Sequence, residues 1–267
     1  MKSQKISDNV VTGKWSTVST EEWQTRVDLA ACHRLAELNG FSDIVWNHIS
    51  ARVPGQPNRF LINLFGLRFD EVTASNLVTL DENGQVAVPP TDANGEIIDT
   101  SDSNFTGFVI HSAIYNERED VNCIMHSHSR AALAVSALKE GFMPLVQDAF
   151  QFYNRVSYHD YEGLSLDLDE RERLAASLSD NPVMIMRNHG LLTTGDTVAQ
   201  AYMRMYYLEL SCRVQMDVLA MGREIHLPPG DVCEHAAKQY QTAAPCGTYE
   251  WPALLRQLDS IDRSYRD

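Results

Sequence analysis

Apolar residues follow helical spacing through residues 19–39, where Trp23, Val27, Leu29, Ala30, Leu35, Ala36 and Leu38 can share one side of a helix. Ser19 or Thr20 followed by Glu22 marks the start, and Gly40 stands where a C-cap belongs. Short β-rich pieces come next at 44–53, 59–63 and 77–80, and Asp81-Glu82-Asn83-Gly84 reads as a hairpin turn into 85–88. This stretch predicts a meander. Val109, Ile110, Ala113 and Ile114 restore the helical period over 108–118, and 121–125 is an apolar run that suits a buried strand.

The alternation then repeats. An Ala-rich helix is predicted over 130–139, a strand over 155–159 and a charged amphipathic helix over 169–178. A second apolar strand, 182–186, ends at Arg187-Asn188-His189-Gly190, and 191–194 continues as a strand. Met203, Tyr206, Tyr207, Leu210 and Val214 give a long helix from Thr197 to about Met221, and Pro228-Pro229-Gly230 breaks one helix from the next. Helices alternating with strands predict an α/β fold, a sheet covered on both faces. No internal repeat or linker divides the chain, so we expect an N-terminal extension over 1–18, one main domain over 19–225 and a C-terminal helical extension over 226–267.

Composition narrows the partners. Among 267 residues, 36 acids against 22 Lys+Arg leave a formal charge of −14. Such a balance, without a basic cluster, argues against nucleic acid and against polybasic membrane attachment. The polar N-terminus lacks the apolar core of a signal peptide, and no run reaches the ~18 apolar residues of a membrane span. A cytoplasmic location is expected. The five cysteines lack CxxC spacing and read as reduced residues.

Histidines carry the first chemistry. In His126-Ser127-His128 two imidazoles two residues apart on an extended segment point to one side, where they can share a metal ion. His189 closes another apolar strand and precedes Gly190, which permits close backbone approach. Three neutral imidazoles with an open position suit Zn²⁺, and with one carboxylate they suit Fe²⁺ or Mn²⁺. Surface or core histidines satisfied by ordinary hydrogen bonds would give the same pattern.

With Ile124-Met125-His126-Ser127-His128 after the helix of His111-Ser112-Ala113-Ile114-Tyr115, and Arg187-Asn188-His189-Gly190-Leu191 far downstream, the chain resembles the class II aldolase/adducin family. The likeness runs from about Trp23 to Met216 and includes Asn47-His48-Ile49-Ser50-Ala51-Arg52, Phe65-Gly66-Leu67, Glu71-Val72-Thr73-Ala74-Ser75 and Tyr158-His159-Asp160-Tyr161. The resemblance implies a three-layer α/β/α domain with a central, largely antiparallel sheet. It also implies a divalent metal held by His126, His128 and His189, zinc first, with manganese or iron as alternatives.

Departures from the aldolases set the functional expectation. Where the aldolases have Ser-Ser-Glu, this chain has Phe105-Thr106-Gly107, so their proton-transferring acid is missing. His48 stands for a substrate-anchoring Asn, and Phe65-Gly66 replaces a phosphate-gripping Thr-Gly. The chain therefore falls nearer the adducin-like, non-phosphate branch. Candidate substrate contacts are His48, Arg52, Gly66, Thr106 and Gln147. For Arg52 the alternative is a structural ion pair, and for Gln147 a solvated loop. His111 is either a site residue or a helix histidine that steadies the metal strand. The expected activity is a metal-dependent carbon–carbon lyase, a decarboxylase or aldolase, acting on a small non-phosphorylated hydroxy- or oxo-carboxylate. Alternatives are an Fe(II) oxygenase on the same histidines and a non-catalytic adducin-like assembly module. Family relatives also imply a homotetramer. The stripe Tyr202, Met205, Tyr206 and Leu210 is expected to lie between subunits, with Tyr240 or Tyr249 of a neighbour completing the site as a catalytic group.

Overall fold

Ser19 opens the first helix, α1 (Thr20–Leu38), by accepting a hydrogen bond from the Glu22 amide at 3.1 Å. Gly40 closes it at φ +70°, with the Phe41 amide bonded to the Ala36 carbonyl and the Gly40 amide to that of Glu37. The computed structural model describes residues 18–101, 105–165 and 167–267. The proposed 1–18 extension thus lies almost wholly outside the described residues.

Eight strands form one sheet: β1 (His48–Val53), β2 (Gln56–Ile62), β3 (Val78–Asp81), β4 (Val86–Val88), β5 (Cys123–Ser127), β6 (Val156–His159), β7 (Val183–Met186) and β8 (Gly190–Gly195). Their order is β4-β3-β2-β1-β5-β8-β7-β6, antiparallel throughout except for the parallel pair β6 and β7. The predicted turn at Asp81–Gly84 is present. Asp81 Oδ1 takes the amides of Asn83 and Gln85, each at 2.9 Å.

Helices cover both faces. On one side α1, α3 (Arg130–Ser136), α5 (Val198–Ala220) and α7 (Glu250–Ile261) pack on Ile49, Ala51, Cys123, Met125, Val183 and Ile185. On the other, α2 (Phe105–Glu117) and α4 (Glu170–Leu178) pack on Phe60, Ile62, Ile124, Met184 and Leu192. Alternate residues of one strand therefore feed different cores. This is the expected three-layer α/β/α arrangement.

Two boundaries differ from expectation. β1 starts at His48 instead of 44, because Ile44 adopts φ +50° in the preceding turn. α3 ends at Ser136, where the chain leaves through turns at Leu138 and Gly141. Half of the α5 stripe is not spare surface, while Tyr206 and Leu210 keep partial exposure. Tyr202 and Met205 are fully buried, with the Tyr202 ring 6.3 Å from Phe41 and 5.7 Å from Trp251. α5 lies between α1, the sheet and the C-terminal helices, so it needs more than one apolar side.

The C-terminal residues fold back on this chain. α6 (Gly230–Thr242) lies against the 3₁₀ turn at 147–152, and α7 reaches α1 through Trp251 Nε1 donating to Asp28 Oδ1 at 3.1 Å. The carbonyls of Tyr265 and Asp267 accept the amides of Ala74 and Ser75. Among the described residues no helix is long and apolar enough to cross a membrane. All five cysteines are free, and four are buried.

One buried cation ties α1 to the meander. Arg26, with no exposed surface, donates to Glu22 at 3.1 Å, to the carbonyl of Leu77 at 3.1 Å and to Thr79 Oγ1 at 2.7 Å. Replacing it leaves a buried carboxylate and several acceptors without a donor. Arg26→Met is therefore expected to cost about 3 kcal/mol in urea unfolding, and a loss below about 1 kcal/mol would contradict this.

Candidate metal centre

Two strand ends meet at the three histidines. His126 belongs to β5 and follows Ile124 onto the α2 side, while Ser127 turns to the other side and donates to the Phe41 carbonyl at 2.6 Å. Ser129 caps α3 by accepting the Ala132 amide and also binds Glu209. These bonds fix the His-Ser-His turn from its back. His189 sits in the tight turn between β7 and β8, after Asn188 at φ +56°. Gly190 is required there, since a Cβ would stand 2.4 Å from the Ser127 carbonyl oxygen.

Ring centroids are 4.6 Å apart for His126–His128, 4.7 Å for His126–His189 and 4.9 Å for His128–His189. One nitrogen from each ring lies within 4.8 Å of the others. The outer nitrogens have partners: His126 Nδ1 meets the Leu191 carbonyl at 3.0 Å and His128 Nδ1 meets Asp43 Oδ2 at 3.1 Å. A carbonyl and a carboxylate only accept, so both Nδ1 atoms carry the proton and both Nε2 atoms present lone pairs. Those two Nε2 atoms face each other at 2.8 Å. Lone pairs that close want a cation between them, so this donor set fits a divalent metal.

Burial opposes protonation of His126 and His189. Desolvation, then neighbouring histidines, holds His126 well below its ordinary pKa and lowers His189 to about 4. Metal ligation requires the neutral form.

His48 extends the cluster. It lies opposite His126 in the β1–β5 pairing, its ring stacked at 5.1 Å and 28°. Its Nδ1 meets His111 Nε2 at 2.8 Å, and His111 is fully buried on α2. The structure thus brings together His48, His111, His126, His128 and His189. Thr106 and the buried Gly107 occupy the first turn of α2, and Gly66 lies exposed beyond β2, beside Phe65 whose ring is 5.4 Å from Trp46.

Other candidates fall elsewhere. Arg52 lies at the far end of β1 from His48, lining a cavity of about 1010 Å³. Its guanidinium binds the carbonyls of Val121, Pro57, Tyr115 and Arg118 and stacks on Tyr115, with no ion pair among the described residues, so the structure does not bring it to the histidines. Gln147 is exposed, and its carbonyl takes the Tyr240 hydroxyl at 3.5 Å. Tyr249 is 78% exposed at the start of α7. Among the described residues no hydrogen bond, ion pair or ring contact joins Gln147, Tyr240 or Tyr249 to the histidines. The α6–turn packing holds the first two together.

Asp43 joins the site without a signal in the sequence pattern, and Ser50 and Tyr115 join it from segments that carry the family resemblance. Asp43 sits in the loop before β1, 85 residues from the histidine it holds. Nothing local to that loop announces the pairing. His159, at the end of β6, is buried 3.5 Å from Glu170, and Tyr161 lies 6.4 Å from His189.

Comparison with known proteins agrees with this architecture. The family model for the class II aldolase and adducin N-terminal domain matches residues 27–216. The chain belongs to that family. An aldolase II superfamily protein from Pseudomonas syringae is 44% identical, with a TM-score of 0.87 over 96% of this chain and 100% of that one. An L-fuculose 1-phosphate aldolase from Glaciozyma antarctica PI12 is 27% identical, with a TM-score of 0.79 over 97% of this chain and 98% of its own. Alpha-adducin of Rattus norvegicus is 36% identical over 254 residues, which are 88% of this chain and 33% of that protein. Family membership thus spans named aldolases and adducins.

Burial also makes the site acid-sensitive. Desolvation lowers His111 to about 3, and His33, a buried residue of α1, to about 4. Unfolded histidine titrates near 6.5, so below that pH the unfolded chain binds protons that the native chain refuses. The stability these groups contribute is complete above pH 6.5 and falls as pH drops toward 4, by up to about 1.4 kcal/mol per unit for each. Urea unfolding of chelator-treated protein is expected to show a loss of at least about 2 kcal/mol between pH 7 and pH 5. Equal stability at both pH values would contradict it.

Proposed function

We propose that this protein is a divalent-metal-dependent carbon–carbon lyase acting on a small, non-phosphorylated hydroxy- or oxo-carboxylate. The convergence of three imidazoles, two with Nδ1 held by an acceptor and their Nε2 atoms facing each other at 2.8 Å, carries this reading. His126, His128 and His189 would hold the ion. A divalent ion there, zinc by family precedent with manganese or iron as alternatives, supplies Lewis acidity toward a carbonyl and its neighbouring hydroxyl.

This chain's own residues do the rest. Asp43 and the Leu191 carbonyl orient two ligands. Trp46 and Phe65 give an apolar border at the strand ends, and Gly66 and Thr106 bound the substrate space. Gly107 provides no carboxylate to move a proton, which favours decarboxylation, because departing CO₂ needs no base while aldol cleavage must deprotonate a hydroxyl. Exposed Ile44, Trp46 and Tyr161 stand next to site residues and suit cover by another copy of the chain in a homo-oligomer, tetrameric by family precedent. A neighbour could then bring Tyr240 or Tyr249 to the histidines. A cytoplasmic small-molecule enzyme fits the acidic composition.

The likeness to alpha-adducin, together with Gly107, favours a second reading: a non-catalytic assembly module. Metal content separates the two. Elemental analysis after anaerobic purification is expected to give about one divalent ion per chain in the wild type and none in His126→Ala, with an unchanged circular dichroism spectrum. Asp43→Ala should weaken retention about 10–100-fold in a chelator competition. Metal-free wild-type protein, or full occupancy in His126→Ala, would leave only the module. Iron with oxygen uptake would shift the reading to an oxygenase.

A second test concerns phosphate. Phe65 and Thr106 replace groups with which the aldolases grip a dianion, so fuculose, rhamnulose and ribulose phosphates should be poor substrates. Turnover of any of them at a kcat/KM of ~10⁴ M⁻¹s⁻¹ or above would refute the phosphate-free assignment.

A further inference from the structure

Four polar side chains run in a line from the inner side of α2 to the histidine cluster. The Tyr115 hydroxyl meets Ser50 Oγ at 2.8 Å, Ser50 Oγ meets His111 Nδ1 at 2.5 Å, and His111 Nε2 meets His48 Nδ1 at 2.8 Å. Tyr115 is 5% exposed, His48 2%, and Ser50 and His111 not at all.

Every link joins two groups that can donate or accept, so two proton arrangements exist. In the first, Tyr115 donates to Ser50, Ser50 to His111 Nδ1, and His111 Nε2–H to His48 Nδ1. The proton of His48 then resides on Nε2. In the second every bond reverses, and the Tyr115 hydroxyl needs another acceptor. Its hydrogen-bond partner among the described residues is Ser50 alone, and the group over its ring is the Arg52 guanidinium, 4.5 Å from the centroid and able only to donate. A buried hydroxyl proton with no acceptor bears its full desolvation penalty. The first arrangement is therefore favoured.

The far end of the line is the informative one. His48 Nε2 makes no hydrogen bond within the described chain, and the ring that carries it stacks on His126. Burial lowers His111 to about 3, so it relays orientation without taking up a proton at ordinary pH.

We propose that His48 contacts the substrate as a fixed N–H donor, its Nε2–H aimed at a carbonyl or carboxylate oxygen held at the histidine cluster, with its tautomer dictated by Tyr115, Ser50 and His111. The proposal rests on the metal-dependent reading above and adds, to the His48 contact expected from the sequence, a fixed proton position and a specificity. A neutral N–H favours an acceptor oxygen and disfavours an ammonium or other donor-only group at that place. Ser50, His111 and Tyr115 are positioning residues: they act through His48. This also gives α2 a task in a chain that lacks the aldolase acid, because the helix that begins near Gly107 carries His111 and Tyr115.

The direct test is ¹⁵N NMR of the imidazole nitrogens in metal-free protein, with His48 assigned from the signals lost in His48→Gln. The expected result is a protonated Nε2 and an unprotonated Nδ1 for His48. Ser50→Ala, a small change that cuts the line, should let the Nδ1–H form appear alongside. A wild-type His48 protonated on Nδ1, or charged near pH 7, overturns the proposal, as does a tautomer unaffected by Ser50→Ala. A second arm measures glycolate, a minimal hydroxycarboxylate, on zinc-loaded protein. His48→Phe should weaken it about tenfold or more at unchanged zinc retention. Binding within twofold of wild type overturns the substrate contact. If wild-type protein fails to take up zinc, the metal-dependent reading fails separately, and the tautomer measurement still decides the proton arrangement.

Discussion

Pairing of β5 between β1 and β8 in one register places His48 across from His126 on one side and Leu191 across from Ser127 on the other. A slip of one residue in either pair would turn every side chain of the moved strand to the opposite face. The apolar positions prevent that slip. Met125 and Cys123 are committed to the core under α1 and α5, and Ile124 to the core under α2. His126 is therefore delivered to the α2 side by the same alternation that fills the two cores, and Gly190 lets β8 come close enough for the Leu191 carbonyl to take the His126 Nδ1 proton. Packing and site geometry are one constraint here.

That geometry sets the charge state. A chain with a formal charge of −14 places five histidines within one buried cluster, where desolvation opposes protonation of His48, His111, His126 and His189. Uncharged imidazoles offer lone pairs and N–H donors at once, and second partners decide which nitrogen does which. Asp43 and the Leu191 carbonyl make that choice for two rings. The line from Tyr115 makes it for His48. Under the proposed function, Gly107, Thr106 and Phe65 are the departures from the phosphate aldolases and this donor set is the likeness.

Much of this was legible because it obeys a local period. The helical spacing of α1 and α5, the apolar runs at β5 and β7, and two histidines separated by one serine all arise from residues within a few positions of each other. The hidden parts are contacts between distant segments. Arg26 looks like an ordinary helix cation until β3 brings Thr79 to it. Nothing near Arg52 in the sequence shows that four carbonyls gather around its guanidinium at the far end of β1. Tyr202 and Met205 of the α5 stripe look like surplus surface because spacing reveals one face of a helix and not how many neighbours surround it. Asp43 carries no local mark of its role.

The central claim is that His126, His128 and His189 form a single metal site whose ligating atoms are the Nε2 nitrogens of the first two. A crystal structure of the zinc-loaded protein with anomalous data at the zinc edge tests it directly. One peak per chain, about 2.0–2.1 Å from His126 Nε2 and His128 Nε2 and bound by His189, with Asp43 still on His128 Nδ1, is the predicted result. A peak on other residues, or rings separated by protein atoms with no ion among them, would contradict it.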